Sequence, residues 1–281
     1  MAKWAKYLQV SRSGYYEWLT NKESYGSKQT AYSEKVKKIF DESGGTYGPD
    51  RICGVMRNEG HKASYAKVAG FLAEAGLSSI HNRHRSRSLT DSRNARDDSY
   101  KNLIKGKEKE ICRPYQAVCS DISYIRTPEG FLYLCVIKDI ATGEILGQAR
   151  DRRMKKELVI KTFLNAHARH TLGKNTIFHS DRGSQYTSKK FMKLLTDLGI
   201  KQSFSRVGMP GDNTWAESFF ATLKKERIHF NNFATWDEAD FTIFTWIEGF
   251  YNNKRVQKRI GYVSPVRYRK SLMLHAEKSV A

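Results

Sequence analysis

Ala117-Val-Cys-Ser-Asp-Ile-Ser-Tyr-Ile125 is an apolar run with a single acid, Asp121, in its middle. Its β-branched and aromatic content predicts a strand. Two runs of the same kind follow, at 131–139 and 144–150. The breaks between them, Pro128-Glu-Gly130 and Thr142-Gly143, read as turns. Three consecutive antiparallel strands are therefore expected.

Downstream the pattern alternates. A helix is expected at about 155–171, with Val159, Thr162, Phe163 and Ala166 inward. A strand at 175–180 runs into Asp181. A helix at 188–198 carries Phe191, Leu194, Leu195 and Leu198 on one stripe and stops at Gly199. A short strand, 200–204, leads through Val207-Gly-Met-Pro-Gly-Asp212 to a helix bearing Glu217. Three strands, helix, strand, helix, strand, helix is the order of an RNase H-like α/β domain, a five-stranded mixed sheet with flanking helices. A last helix at 236–251 has Ile243, Phe244, Ile247 and Tyr251 inward and a capping box at Thr235 and Glu238.

Upstream the chain reads as helical. Residues 1–25 suggest two short helices around a polar turn, a helix-turn-helix-like segment. Residues 30–80 form a second helical region, expected to bind DNA. In it Val36, Ile39 and Phe40 share a face; Asp50 is expected to cap a helix with Ile52, Val55 and Met56 inward; Gly60 ends that helix. Ser64 caps the next, with Val68, Phe71, Leu72 and Ala75 at helical spacing. Residues 81–111 read as a basic linker, including Arg83, Arg85 and Arg87. The α/β domain is expected over 112–275, with a basic C-terminal tail containing Lys254, Arg255, Lys258 and Arg259.

The chain carries 49 Lys+Arg against 29 Asp+Glu, a formal charge of +20. Such an excess points to a polyanionic partner. Cys53, Cys112, Cys119 and Cys135 form no CxxC pair, so neither a zinc ribbon nor a disulfide framework is expected. The absence of a signal-like segment or long apolar stretch predicts a soluble protein with no membrane partner.

Against that charge, Asp121 within one strand, Asp181 just past the end of another and Glu217 in a first helical turn can converge. Hard carboxylate oxygens suit Mg²⁺ or Mn²⁺, ions that keep positions open for phosphate and water. Each acid has a plainer reading. Asp121 could be an exposed strand residue and Asp181 the start of a turn. Glu217 fits a capping box with Thr214 as its N-cap. Asp139, at the end of the second strand, is a further acid but is not expected to be a ligand.

The segments Ser120-Asp-Ile-Ser-Tyr-Ile-Arg126, His179-Ser-Asp-Arg-Gly-Ser-Gln-Tyr-Thr187, Asp212-Asn-Thr-Trp-Ala-Glu217 and Gly261-Tyr-Val-Ser-Pro265 resemble those of the IS-three family of bacterial insertion-sequence transposases. The 35 residues between Asp181 and Glu217 match the family's acid spacing. Ser11-Arg-Ser-Gly-Tyr-Tyr16 and Thr46-Tyr-Gly-Pro49 resemble the family's second reading frame, so the likeness covers nearly the whole chain. Two departures stand out: Gln257 replaces a histidine common in the family, and Gly211-Asp-Asn-Thr-Trp215 replaces its Trp-Asp-Asn-Ala stretch.

The resemblance implies a retroviral-integrase-type catalytic domain in which Asp121, Asp181 and Glu217 bind two Mg²⁺ ions, with Mn²⁺ able to substitute. It implies cleavage at insertion-sequence ends, strand transfer by 3′-OH attack and a circular intermediate. Expected partners are the terminal inverted repeats, target DNA and further copies of the chain, at least a dimer. Expected localisation is the bacterial cytoplasm, in association with the nucleoid. His179, Arg182, Gln185 and Lys224 are expected DNA contacts, together with Arg83, Arg85 and Arg87 in the linker. The alternative is a regulatory product that occupies the ends without cutting, consistent with a chain beginning near the second frame and lacking an upstream coiled coil.

Overall fold

The computed structural model describes residues 11–82, 100–170, 172–206 and 210–278. The chain divides into two compact units, Met1–Asn82 and Arg83–Ala281.

In the first unit, Ser11 caps a 31-residue helix α1 (Arg12–Glu42), its side chain accepting from the Gly14 amide. The second of the two short helices expected at the start thus runs on without a break to Glu42; the first falls at residues outside those described. The helix passes through Gly26, and one interior glycine, worth about 1 kcal/mol, does not end a helix. The buried Ser43 hydroxyl then accepts from the Thr46 and Tyr47 amides, turning the chain into α2 (Pro49–Asn58). Pro49 opens that helix behind Gly48, so Asp50 lies in its first turn and is not its cap. Gly60, at φ +82°, ends the segment, and Ser64 caps α3 (Tyr65–Glu74) as expected. Val36, Ile39, Phe40, Ile52, Met56, Val68 and Leu72 are buried.

The second unit is built on one sheet. Its strands are β1 (Ala117–Thr127), β2 (Gly130–Asp139), β3 (Ile145–Asp151), β4 (Ile177–Ser180) and β5 (Lys201–Phe204), in the order β3-β2-β1-β4-β5. β1 and β3 pair antiparallel with β2; β4 pairs parallel with both β1 and β5. Helices α4 (Lys156–Arg169) and α5 (Lys189–Asp197) belong to one core with Val118, Cys135, Ile137 and Phe178, where Phe163 and Phe191 meet Phe178 edge to face. Helices α6 (Thr214–Leu223) and α7 (Trp236–Thr245) belong to another, with Ile125, Leu134, Val136, Phe219, Leu223, Ile243 and Ile247. These are the mixed sheet and flanking helices expected of an RNase H-like domain.

Several details differ from expectation. Phe244 is 41% exposed and lies beside Arg150; Trp246 takes the inward position instead. The helix widens into a π turn over Trp246–Tyr251, which shifts the facing residues away from ideal helical spacing. Arg255 is not part of an exposed basic tail. It is buried and forms a two-pronged ion pair with buried Glu226, at 2.8 and 2.6 Å. A further helix, α8 (Pro265–Lys278), follows, and its Arg269 reaches buried Glu144 at 2.6 Å. Asn252 accepts from the Ile145 amide and donates to the Ile145 carbonyl, each at 2.9 Å, pairing with backbone at the sheet edge. Cys53, Cys119 and Cys135 are buried, Cys112 is exposed, and all are free thiols. No helix among the described residues is long and apolar enough to cross a membrane.

Helix α4 approaches β3 at Gly147. A Cβ there would stand 2.6 Å from both the Ala166 Cβ and the Thr162 carbonyl oxygen. The obstacle is backbone, which cannot rotate away. Gly147→Ala is therefore expected to destabilise the second unit by about 1–3 kcal/mol, read as a lowered midpoint in thermal or urea unfolding.

Candidate active site

Strand pairing puts two of the acids side by side. β1 and β4 run parallel with Cys119 opposite His179, so Asp121 and Asp181 each lie two residues beyond a paired position. Side chains alternate along a strand, so residues two apart share a face. Ala117 and Cys119 pack with Ala216 of α6, so Asp121 shares the face α6 covers. Asp121 is half-buried, while Asp181 and Glu217 are exposed.

Asp181 begins a tight loop. Its carboxylate accepts from the Gly183 amide at 3.0 Å. A Cβ on Gly183 would stand 3.0 Å from that carboxylate and from the Gln185 side chain, so the loop closes best around glycine. Tyr186 anchors the loop from below. It is buried, and its hydroxyl lies 2.9 Å from that of Ser120, the neighbour of Asp121. Ser120 uses its one proton on the Val136 carbonyl, so Tyr186 donates.

Glu217 is positioned from the start of its helix. The N-cap is Asn213, not Thr214, and no capping box forms. Asn213 reaches across to donate to the Ser120 carbonyl at 3.1 Å. Lys138 of β2 donates to the Trp215 carbonyl at 2.8 Å. Asp212 accepts from the Arg206 guanidinium, from its backbone amide and from Asn102, which hold its carboxyl down to about 2 against burial. Sequence reasoning alone does not single out Tyr186, Asn213 and Lys138 as positioning residues. Only Tyr186 and Asn213 carry a signal, lying inside the two segments that contain Asp181 and Glu217.

The electrostatics tie the acids together. Burial, then the charge of Asp181 and that of Glu217, push the Asp121 carboxyl up to about 7, against the pull of the Ile122 amide and Lys224. Protein packed behind Asp181 raises its carboxyl although its own surface is open, and partial burial raises Glu217. Burial lowers the half-buried Lys224 ammonium, against the pull of Asp121. That ammonium stands 5.6 Å from the Tyr124 ring centre. Among the described residues, no group of three His, Cys, Asp or Glu side chains stands ready to hold a metal ion.

The expected DNA contacts divide. His179 is fully buried, so the structure removes it from any DNA surface. Its Nε2 lies 3.0 Å from the Asp212 carbonyl and must donate; its Nδ1 then accepts from Ser203 at 2.8 Å. Burial lowers its pKa to about 4, leaving it neutral. Arg182 turns inward, donating to the carbonyls of Ser205 and Tyr100. Gln185 donates to the Met154 carbonyl at 3.1 Å. Arg83, Arg85 and Arg87 lie outside the described residues. Asp139 is buried, accepting from the Tyr115 and Thr142 amides, a structural role. Gln257 pairs with Val263 in a short antiparallel bridge.

A mixed five-stranded sheet with acids at neighbouring strand positions defines an integrase-type core. The integrase core domain family matches residues 112–210, a second integrase core domain family matches 217–273, and an HTH-like domain family matches 18–85. The transposase for insertion sequence element IS904 of Lactococcus lactis is 37% identical over 85% of this chain and 93% of its own length. Transposase InsF for insertion sequence IS3A of Escherichia coli is 30% identical over 93% of this chain and 91% of its own. Among solved structures, the catalytic core domain of BIV integrase matches at a TM-score of 0.44 and 18% identity, over 58% of this chain and 99% of that one. The chain belongs to the IS3 family of insertion-sequence transposases.

Replacing His179 by alanine leaves the Asp212 carbonyl and the serine hydroxyls without their partner and opens a cavity. A loss of about 2–4 kcal/mol is expected, measured by thermal unfolding. A DNA-contacting histidine would instead leave the unfolding midpoint unchanged and weaken binding.

Proposed function

We propose that this transposase acts as a polynucleotidyl transferase whose Asp121, Asp181 and Glu217 hold divalent cations, two Mg²⁺ or Mn²⁺ ions, at the edge of the sheet. What supports this reading is the β1–β4 register that sets Asp121 beside Asp181 in a strongly basic chain, with Asp121 raised to about 7 by burial and by the charges of Asp181 and Glu217. Such a cluster is unfavourable by itself, and a bound cation relieves the repulsion. The donor set fits, being all carboxylate oxygen and partly open to solvent. The missing capping bond at Glu217 supports it too, because the carboxylate has no helix terminus to satisfy. When bound, the cations supply Lewis-acid stabilisation of charge building on the phosphate oxygens.

The chain's own residues do the positioning. The β1–β4 ladder sets Asp121 beside Asp181. Asn213 and Lys138 set the helix that presents Glu217. Lys224, two turns beyond Glu217 on the same helical face, offers a cation to the DNA backbone. In the first step, water attacks the phosphodiester at an element end, the P–O3′ bond breaks and a 3′-OH is released. In the second, that hydroxyl attacks another phosphodiester, at the other element end or in target DNA, and displaces a new 3′-OH. The HTH-like first unit binds the terminal inverted repeats, and at least two copies of the chain bring two ends together.

The test is joining of labelled element ends by the purified chain in Mg²⁺. Asp121→Asn, Asp181→Asn and Glu217→Gln are each expected to lower the rate at least about a hundredfold, matching the several kcal/mol that metal assistance supplies. Binding of the ends should persist. Full activity of Asp181→Asn would overturn the assignment.

A further inference from the structure

The loop from β3 to α4 reads Asp151-Arg-Arg-Met-Lys-Lys-Glu157, with four bases in five positions. All seven residues are exposed. Arg152 lies over the Trp236 ring at 4.1 Å. Among the described residues, Arg153, Lys155 and Lys156 form no ion pair. The backbone is held in shape: Asp151 accepts from the Arg153 amide at 2.9 Å, and the Lys155 amide donates to the Arg153 carbonyl at 3.0 Å.

Strand direction places this basic strap at the same end of the sheet as the acids. β1 and β3 are both antiparallel to β2, so they point the same way, and β4 is parallel to β1. The C-terminal ends of β1, β3 and β4 therefore share one edge of the sheet. Asp121 pairs with Val136, which pairs with Gln148; β3 ends three residues further on, at Asp151. At about 3.3 Å per residue, the strap begins about 10 Å beyond the level of Asp121. It also touches the Asp181 loop, through the hydrogen bond from Gln185 to the Met154 carbonyl. A cleft of about 800 Å³ lies between the strap and Ser184–Gln185.

We propose that Arg153, Lys155 and Lys156 grip the phosphate backbone of duplex DNA on the Asp181 side of the acidic point, an inference that rests on the functional reading above. The acids repel a polyanion, so a strand held there needs compensating cations within a few phosphates. The strap supplies them on a backbone already ordered. The contact is to phosphate rather than to bases, because three long side chains on one exposed loop match the repeating charge of the backbone. Two sources share this chemistry, the element's own end and target DNA.

The experiment is fluorescence-anisotropy binding of the full chain, in EDTA, to two labelled duplexes across a potassium chloride series. One duplex carries the element's end and the other a random sequence. Three phosphate contacts predict that Arg153→Gln/Lys155→Gln/Lys156→Gln lowers the slope of log K against log salt by about 2 to 3. Lys156→Gln alone should lower it by about 1. A control of equal charge loss on exposed positions of α5, Lys189→Gln/Lys190→Gln/Lys193→Gln, should keep the parent slope. A change confined to the element end assigns the strap to terminal DNA. A change confined to the random duplex assigns it to target DNA, and a change on both assigns it to either duplex. An unchanged slope in the strap variant, or an equal fall in the control, overturns the proposal. Absence of salt-dependent binding by the parent chain would overturn the functional reading itself, and this inference with it.

Discussion

The arrangement of the second unit depends on a parallel ladder of three paired positions, Ala117 with Ile177, Val118 with Phe178 and Cys119 with His179. A slip of one residue would turn every side chain on β4 to the other face. The register is fixed from both sides. Val118 and Phe178 enter the core that includes α4 and α5, while Cys119 packs with Ala216 and His179 binds the Asp212 carbonyl. Because alternation continues past the last pair, the same register that buries Phe178 brings Asp181 level with Asp121. The acidic point is thus a consequence of core packing two residues away.

Much of this is legible in the amino-acid sequence. The strands announce themselves by β-branched runs between Pro-Glu-Gly and Thr-Gly breaks, and α5 by Phe191, Leu195 and Gly199. The acids are recognisable by type and spacing. What escapes is every feature that depends on a contact far along the chain. Thr214 and Glu217 have capping-box spacing, yet the helix starts at Asn213, whose side chain is held by the Ser120 carbonyl 93 positions away. His179 beside an acid reads as a DNA contact; only the fold shows serines and a carbonyl closing around it. Arg255 sits in a basic stretch, and nothing local reveals that Glu226 waits for it in the interior.

Those hidden contacts share a physical logic. Elements that carry exposed acids need fixed backbones, and an acid that supplies the fixing gives up an oxygen, as Asp181 does to the Gly183 amide. Neighbouring groups supply the rest: Tyr186 through Ser120, Asn213 through the Ser120 carbonyl, Lys138 through the Trp215 carbonyl. Two of the three converge on one residue, Ser120, next to Asp121. A small hydroxyl residue there accepts from Tyr186 while its carbonyl takes Asn213, which links the Asp181 loop and the Glu217 helix to a single strand position.

The distribution of charge follows from the same division. Buried Arg255 is neutralised by buried Glu226, half-buried Arg269 reaches buried Glu144, and buried Lys138 is satisfied by the Trp215 carbonyl, because an unpaired buried charge costs several kcal/mol. Among the described residues, most other lysines and arginines are exposed or half-buried, where water solvates them and a polyanion can replace that water. Asp121 is the converse case, a half-buried acid that forms no ion pair among the described residues and has two like charges nearby. Lys224, which pulls its carboxyl down, is itself partly desolvated. An ammonium that is depressed by burial and attracted by one carboxylate cannot neutralise three. Under the proposed function a small hard cation would relieve that imbalance, while the excess of lysine and arginine in the chain suits an extended phosphate chain.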